Sequence, residues 1–196
     1  MPRRAIKDIR GEELVEAAVA TVAEEGHDAA TTRAIGLRAG VSPGIVHHYF
    51  GDKHSLLLAA MRAVRRPVAA AYRARLAAAE NSHGTGREAL EACFEAHLDS
   101  EILTVRRAVA WLQFTSRVAH VPDYARIRAA VRGRQVAALR RALSSIAPTA
   151  GDAAVLAKRL ALQLDGLWLE AATREGGLAP GEGRALLDAT LSDSIW

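Results

Sequence analysis

The chain holds a single cysteine, Cys93, so no disulfide can form within it. Cys93 also has no histidine and acid at a recognisable catalytic spacing, and it reads as a small buried hydrophobe rather than a nucleophile. No apolar run approaches the roughly 20 residues of a membrane span. The opening "MPRRAIKDIRGEEL" lacks the apolar core of a secretory signal, which leads us to expect a cytoplasmic protein. Strand alternation is almost absent, as are a Gly-rich phosphate loop, a nucleophile elbow and the Glu-x-x-His pairs of a di-iron bundle. These gaps argue against an enzyme, and the expectation is no cofactor and no metal. Aromatic residues make up only 5% of the chain, so each one is worth locating.

What is present is ordinary globular material. Across 196 residues, 50% are hydrophobic and 24% charged, enough to bury the core of one large domain or two small ones. The net charge of +4 is unevenly spread: residues 54–141 carry fifteen Lys/Arg against seven Asp/Glu, whereas residues 1–53 are nearly balanced. Bulk charge therefore does not identify nucleic acid as a partner. Arg3, Arg4, Lys7 and Arg10 form a local basic arm, and the basic middle reads as a solvated surface.

Helical periodicity runs almost throughout. Leu14, Val15, Ala18, Val19 and Val22 recur at spacings of three and four between Gly11 and Glu25, with Gly26 at the C-cap. Thr31 or Thr32 caps a short second helix ending at Ala39, and Gly40 supplies a turn. Ser42 and Pro43 start a third helix reaching about Phe50. Asp52 caps a long fourth helix toward Ala79, interrupted by Pro67, which removes a hydrogen bond and kinks the axis, and "ENSHGTG" (80–86) is a loop. Further helices are expected at about 87–99, 103–119, 123–146, 152–175 and 181–194. The fold class is all-α with about nine helices: a three-helix head over 1–52 and a larger helical body over 53–196.

The stretch "AGVSPGIVHHYFGDK" (39–53) concentrates the chemistry. Two helices about a glycine turn, over about 31–50, have the layout of a helix-turn-helix, whose second helix presents its first residues to base edges in the major groove. Val46 and Phe50 face inward with Val41 over the turn, leaving Ser42, Pro43, Gly44, His47 and His48 outward. Small residues let backbone approach DNA, and imidazoles donate to phosphates or base acceptors. Adjacent histidines point about 100° apart on a helix, unlike an i, i+4 metal pair. A generic helical hairpin has the same spacing.

"AIGLRAGVSPGIVHHYFGDKHSLLLAAM" resembles the DNA-binding head of the TetR family of bacterial transcriptional regulators, densely over residues 10–61. "MPRRAIKDIR", "GIVHHYFGDK", "AWLQF" and "DGLWLEAA" resemble the BetI-type branch of that family, regulators of glycine betaine synthesis genes that respond to choline. The resemblance implies that Thr32 and Arg33 touch the DNA backbone and that Ser42, Pro43, Gly44, His47 and His48 form the recognition surface. It makes Tyr49 and Lys53 phosphate contacts; Lys53 also stands beside a helix N-terminus, where an anion is favoured. His47 replaces a tyrosine common in the family. Gly36 replaces an alanine, at up to about 1 kcal/mol of helix propensity.

The resemblance further implies a homodimer on a pseudo-palindromic operator, released by a small-molecule inducer. Its last two helices would pair through Leu156, Leu160, Leu164 and Leu167 and through Leu186, Leu187 and Leu191, faces equally readable as the core of one chain. For the ligand, Trp111 and Phe114, Trp168 near Asp165, and Phe94 beside Glu95 suggest aromatic rings with a carboxylate, the means of holding a quaternary ammonium cation. The plainer reading is that these rings fill a core. Thr115 stands where BetI-type sequences tend to carry a second tryptophan. An efflux or catabolic regulator sensing an uncharged hydrophobic ligand is the alternative. A helical adaptor or an enzyme without DNA binding is more remote.

Overall fold

Side-chain caps and glycine stops divide the chain into helices close to the sequence expectation. The computed structural model describes the backbone of residues 3–80, 85–147 and 149–195, and the side chains of residues 9–78, 85–147 and 149–192. The side chains of Arg3, Arg4 and Lys7 and the centre of the "ENSHGTG" loop lie outside the described residues. Among the described residues there are nine helices and no strand: α1 (Arg3–Glu25), α2 (Thr32–Arg38), α3 (Pro43–Phe50), α4 (Lys53–Glu80), α5 (Gly86–Leu98), α6 (Val105–Thr115), α7 (Pro122–Leu143), α8 (Ala150–Thr173) and α9 (Glu182–Ile195). No helix among them is long and apolar enough to cross a membrane.

Two boundaries differ from the periodicity. Helix α1 starts at Arg3, so Gly11 lies inside it, a position that costs about 1 kcal/mol of propensity but does not break a helix. Helix α6 ends at Thr115, short of the expected 119. There the Thr115 hydroxyl donates to the Trp111 carbonyl (2.8 Å) and the Ser116 hydroxyl to the Gln113 carbonyl (2.9 Å). Such back-bonding competes with the helical ladder and favours termination.

The chain forms two compact units, one of residues up to Arg65 with Val109–Ile127, the other of Arg66–Ala108 with Arg128 onward. The first contains the head. Helix α1 packs on α2 and α2 on α3. Leu14, Ala18, Val22, Ala30, Ile35, Val46, Leu56, Met61, Phe114 and Tyr124 are buried there. The second has its own core of Leu90, Phe94, Leu139, Leu143, Leu156, Leu160, Leu164, Leu167 and Leu187, with α8 and α5 both packed on α9.

The turn between α2 and α3 is the most constrained joint of the first unit. Thr31 caps α2 by accepting from the Ala34 N–H (3.1 Å). At the other end the Val41 N–H donates to the Gly36 carbonyl (2.8 Å) and the Gly40 N–H to the Leu37 carbonyl (3.1 Å), with Gly40 at φ +67°. That is a Schellman stop, whose left-handed residue is glycine because a Cβ is disfavoured there. We expect Gly40→Ala to lower stability by about 1 kcal/mol and Gly40→Asn by less, since asparagine tolerates the left-handed region. Urea denaturation of the three proteins checks this; an unaffected Gly40→Ala variant would show that the turn carries no such strain.

Candidate nucleic-acid interface and ligand groups

Helix α3 is anchored by one residue. Val46 is fully buried, and Val41 and Phe50 are half-buried around it. Ser42 is the N-cap and Pro43 the first helical residue, a ring whose fixed φ suits that position and whose missing N–H is no loss. Ser42, Pro43, Gly44, His47 and His48 are all exposed, forming one surface at the start of the helix. Arg33 is exposed, while Thr32, Tyr49 and Lys53 are half-buried. The nine residues singled out for DNA thus lie in one unit, on α2, α3 and the first turn of α4.

The electrostatics refine two of them. The His47 Nδ1–H donates to the Gly51 carbonyl (2.8 Å), because a carbonyl oxygen can only accept. In the neutral ring Nε2 is then an acceptor, which repels a phosphate oxygen; the doubly protonated ring donates to it. Lys53 opens α4 beside Asp52, whose carboxylate accepts the Ser55 N–H (2.6 Å). That backbone bond holds the Asp52 carboxyl below its ordinary range. The ring of His48 meets that of Tyr49 edge to face at 5.4 Å.

A second cluster in the same unit has no counterpart in the sequence expectation. His27 Nε2 and the Tyr124 hydroxyl are hydrogen-bonded at 2.8 Å, and the Phe114 ring lies edge-on to both, at 6.0 and 5.4 Å. Around them Arg117 donates to Asp28 (2.6 Å) and His54 Nε2–H to Asp123 (3.0 Å). These bonds hold Asp28 and Asp123 below the ordinary carboxylate range. Burial pushes the Tyr124 phenol up to about 12. His27 is lowered below 6.5, chiefly by burial and then by the charge of Arg117, against the opposite pull of Asp28. The partners stand 69 to 97 residues apart in sequence, so no local pattern announces them.

The ligand candidates are distributed over both units. In the first, Phe114 is core against His27 and Tyr124, and Trp111 lies under the Arg65 guanidinium, whose carbon is 5.3 Å from the ring centroid. In the second, Phe94 is buried with the Arg184 guanidinium carbon 5.9 Å from its ring, and Trp168 is buried. Asp165 accepts from both Arg128 and Arg132 at 2.7 Å, and Glu95 pairs with Arg75 at 3.3 Å. A cleft of about 660 Å³ in that unit is lined by Glu95 together with Arg75, Asp99, Leu103, Leu178 and Arg184. Trp111, Phe94, Asp165 and Glu95 each have an arginine against them.

The dimer candidates sit in the core of the single chain. Leu160, Leu164 and Leu187 are 0% exposed and Leu167 4%, all in the core of the second unit, and Leu191 packs half-buried against the same core. Buried side chains have no area left for a second chain. Among the described residues, the large exposed apolar side chains of these helices are Val155 (61%), Leu162 (63%), Leu169 (49%) and Leu186 (51%). On α8, Asp152, Val155, Arg159, Leu162, Leu169 and Thr173 follow one another along one face, with Gly166 between them, and form one stripe along the helix in which Val155, Leu162 and Leu169 are exposed.

This arrangement has the layout of a helix-turn-helix head followed by a larger helical body, the class of DNA-binding regulators. Two family models match it, "Bacterial regulatory proteins, tetR family" over residues 14–60 and "BetI-type transcriptional repressor, C-terminal" over 86–195. The chain is 36% identical over 195 residues to HTH-type transcriptional regulator BetI 2 of Chromohalobacter salexigens, covering 100% of this chain and 93% of that one. It is 34% identical over 172 residues to BetI of Stenotrophomonas maltophilia, covering 86% and 84%. Among solved structures, a transcriptional regulator from Pseudomonas aeruginosa superposes with a TM-score of 0.81 at 30% identity, over 95% and 90% of the two chains. A regulator from Saccharomonospora viridis in complex with choline gives 0.78 at 22% identity, over 96% and 98%, a likeness of fold. The chain belongs to the TetR family of bacterial transcriptional regulators, with a C-terminal domain of the BetI repressor type.

Two outcomes are expected of the first unit. Lys53→Ala weakens binding to every DNA sequence alike and flattens the salt dependence by about one unit of slope, whereas His48→Ala relaxes preference at one base position per half-site. Binding titrations across salt, and an operator library, separate the two behaviours. For His27 the folded state resists the proton, so the unfolded chain takes it up first. Its stabilising effect is complete above about pH 6.5 and is lost as pH falls through the lowered folded value. His27→Gln therefore shows a smaller loss of denaturation midpoint between pH 7.5 and 5.5 than the parent; equal losses would remove His27 as the source.

Proposed function

We propose that the chain is a cytoplasmic homodimeric repressor whose two heads grip a pseudo-palindromic operator and release it when a small quaternary ammonium cation, choline first among candidates, is bound. The observation that carries this reading is the pairing of two surfaces on one chain: the exposed first turn of α3 and the apolar stripe of α8. One head alone makes few contacts. A self-complementary face brings two heads to a fixed spacing, and half-sites one helical turn apart require that. Thr32, Arg33, Tyr49 and Lys53 serve the phosphates in this reading, and Ser42, Pro43, Gly44, His47 and His48 serve the bases.

The cationic inducer is supported by similarity over the full chain to BetI regulators and by two aromatic faces, Trp111 and Phe94, that already attract guanidinium groups. A second reading, release by an uncharged hydrophobic ligand, draws on Asp165. With Arg128 and Arg132 both bonded to it, that carboxylate offers an incoming cation no net negative charge.

Light scattering and operator titration test both parts. The native chain is expected to run as a dimer at micromolar concentration. Leu162→Glu should split it into folded monomers, since Leu162 is exposed, while Leu164→Glu should unfold the second unit by burying a carboxylate without a partner. Choline should release the chain's own promoter DNA. Release by neutral hydrophobic compounds and not by cations would transfer the inducer assignment to the second reading, and a monomeric native protein would overturn the dimeric one.

A further inference from the structure

The face of the Trp111 ring on α6 is covered by a charge of the chain's own. The Arg65 guanidinium carbon stands 5.3 Å from the ring centroid, and the two side chains are only 4% and 5% exposed. Cation-π attraction is strongest when the cation is withdrawn from water in this way. The same face is what a quaternary ammonium would seek, for it is held by the ring without any hydrogen bond to its nitrogen. Two positive charges cannot share one ring face in a medium of low dielectric constant, so occupancy is exclusive.

We infer that Arg65 is a resident competitor at the Trp111 face, so that a small quaternary ammonium ligand binds there by displacing the guanidinium, and Arg65 sets the ligand concentration at which this happens. The inference rests on the cationic-inducer reading above and adds the site and the residue that tunes it. The apparent affinity is the intrinsic affinity reduced by the fraction of molecules whose Trp111 face is open. A neutral molecule of the same shape gains no cation-π attraction on entering and suffers no charge repulsion from Arg65. Arg65 belongs to α4, the helix that opens with Lys53, so its departure from the ring is a change in a helix that also carries a DNA contact. A ligand that favours the displaced form shifts the population toward it.

The experiment is a set of ligand titrations by tryptophan fluorescence and calorimetry, using the full chain without DNA. Choline and tetramethylammonium are the cationic probes, and 3,3-dimethyl-1-butanol is the uncharged counterpart of choline. Arg65→Met removes the charge while keeping an unbranched apolar side chain, and Arg65→Lys keeps the charge. Arg65→Met is expected to bind both cations about tenfold more tightly than the parent, the scale of one partly desolvated cation-π contact. Arg65→Lys should stay within a few-fold of the parent, and Trp111→Ala should lose cation binding. The uncharged alcohol, which gains no cation-π attraction, should bind more weakly than choline to the parent and to Arg65→Met alike. If Arg65→Met is unstable, methylguanidinium supplies the same test on the native chain: it should weaken choline binding in a competitive manner.

Cation binding that is indifferent to Arg65→Met, or to methylguanidinium, overturns the competitor role and leaves the cationic-inducer reading standing. Alcohol binding as tight as choline binding shows that the ring face does not select a cation, and also overturns it. Absence of cation binding to the parent and to Arg65→Met alike overturns both.

Discussion

The close approach of backbone at Gly36 underlies the arrangement of the head. A Cβ on that residue would lie 3.0 Å from the Val41 carbonyl oxygen, tighter than almost any real contact. Without one, the Val41 N–H reaches back to the Gly36 carbonyl and the turn folds directly onto α2. That hydrogen bond and the left-handed Gly40 together set where α3 begins. From there Ser42 and Pro43 fix the first helical turn, and Val46 drops into the core. The loss of helix propensity at Gly36, which looks from sequence like a small defect, is offset by relief of a close approach that an alanine would meet by moving the turn a few tenths of an ångström.

The order and ends of the helices were legible because their determinants are local. Threonine and aspartate caps, glycine stops and Ser-Pro starts act within four residues, and the apolar spacing of α1, α3 and α8 reports a buried face directly. The inward set of α3, Val46 with Val41 and Phe50 around it, follows from spacing alone. The cluster of His27, Phe114, Tyr124, His54 and Asp123 was not legible, since its members meet only after distant segments fold together. Nothing in the sequence near His27 distinguishes it from a surface histidine.

The two apolar faces of α8 show a different kind of blindness. Helix α8 carries two apolar rows. Leu156, Leu160, Leu164 and Leu167 follow one track, and Val155, Leu162 and Leu169 another, seven residues apart. Periodicity detects both but cannot say which one the chain uses for itself. The denser row is the better core, because contiguous leucines bury more apolar area per turn, and the sparser row is left outside. The aromatic residues pose the same problem with charges. A count of rings and carboxylates suggests a cage, yet the arginines that answer them lie elsewhere in the sequence, as with Arg65 on Trp111 and Arg128 and Arg132 on Asp165.

The division of labour within α3 bears on how such a regulator changes over evolutionary time. Its anchoring to the head comes from Val46 and the preceding turn, while Ser42, Pro43, Gly44, His47 and His48 project into solvent. Exposed positions tolerate substitution at little cost to folding. On the proposed reading of α3, a lineage can acquire a new operator preference through those five positions without first surviving an unstable intermediate, and a duplicated copy can diverge to a separate set of genes while its fold stays unchanged.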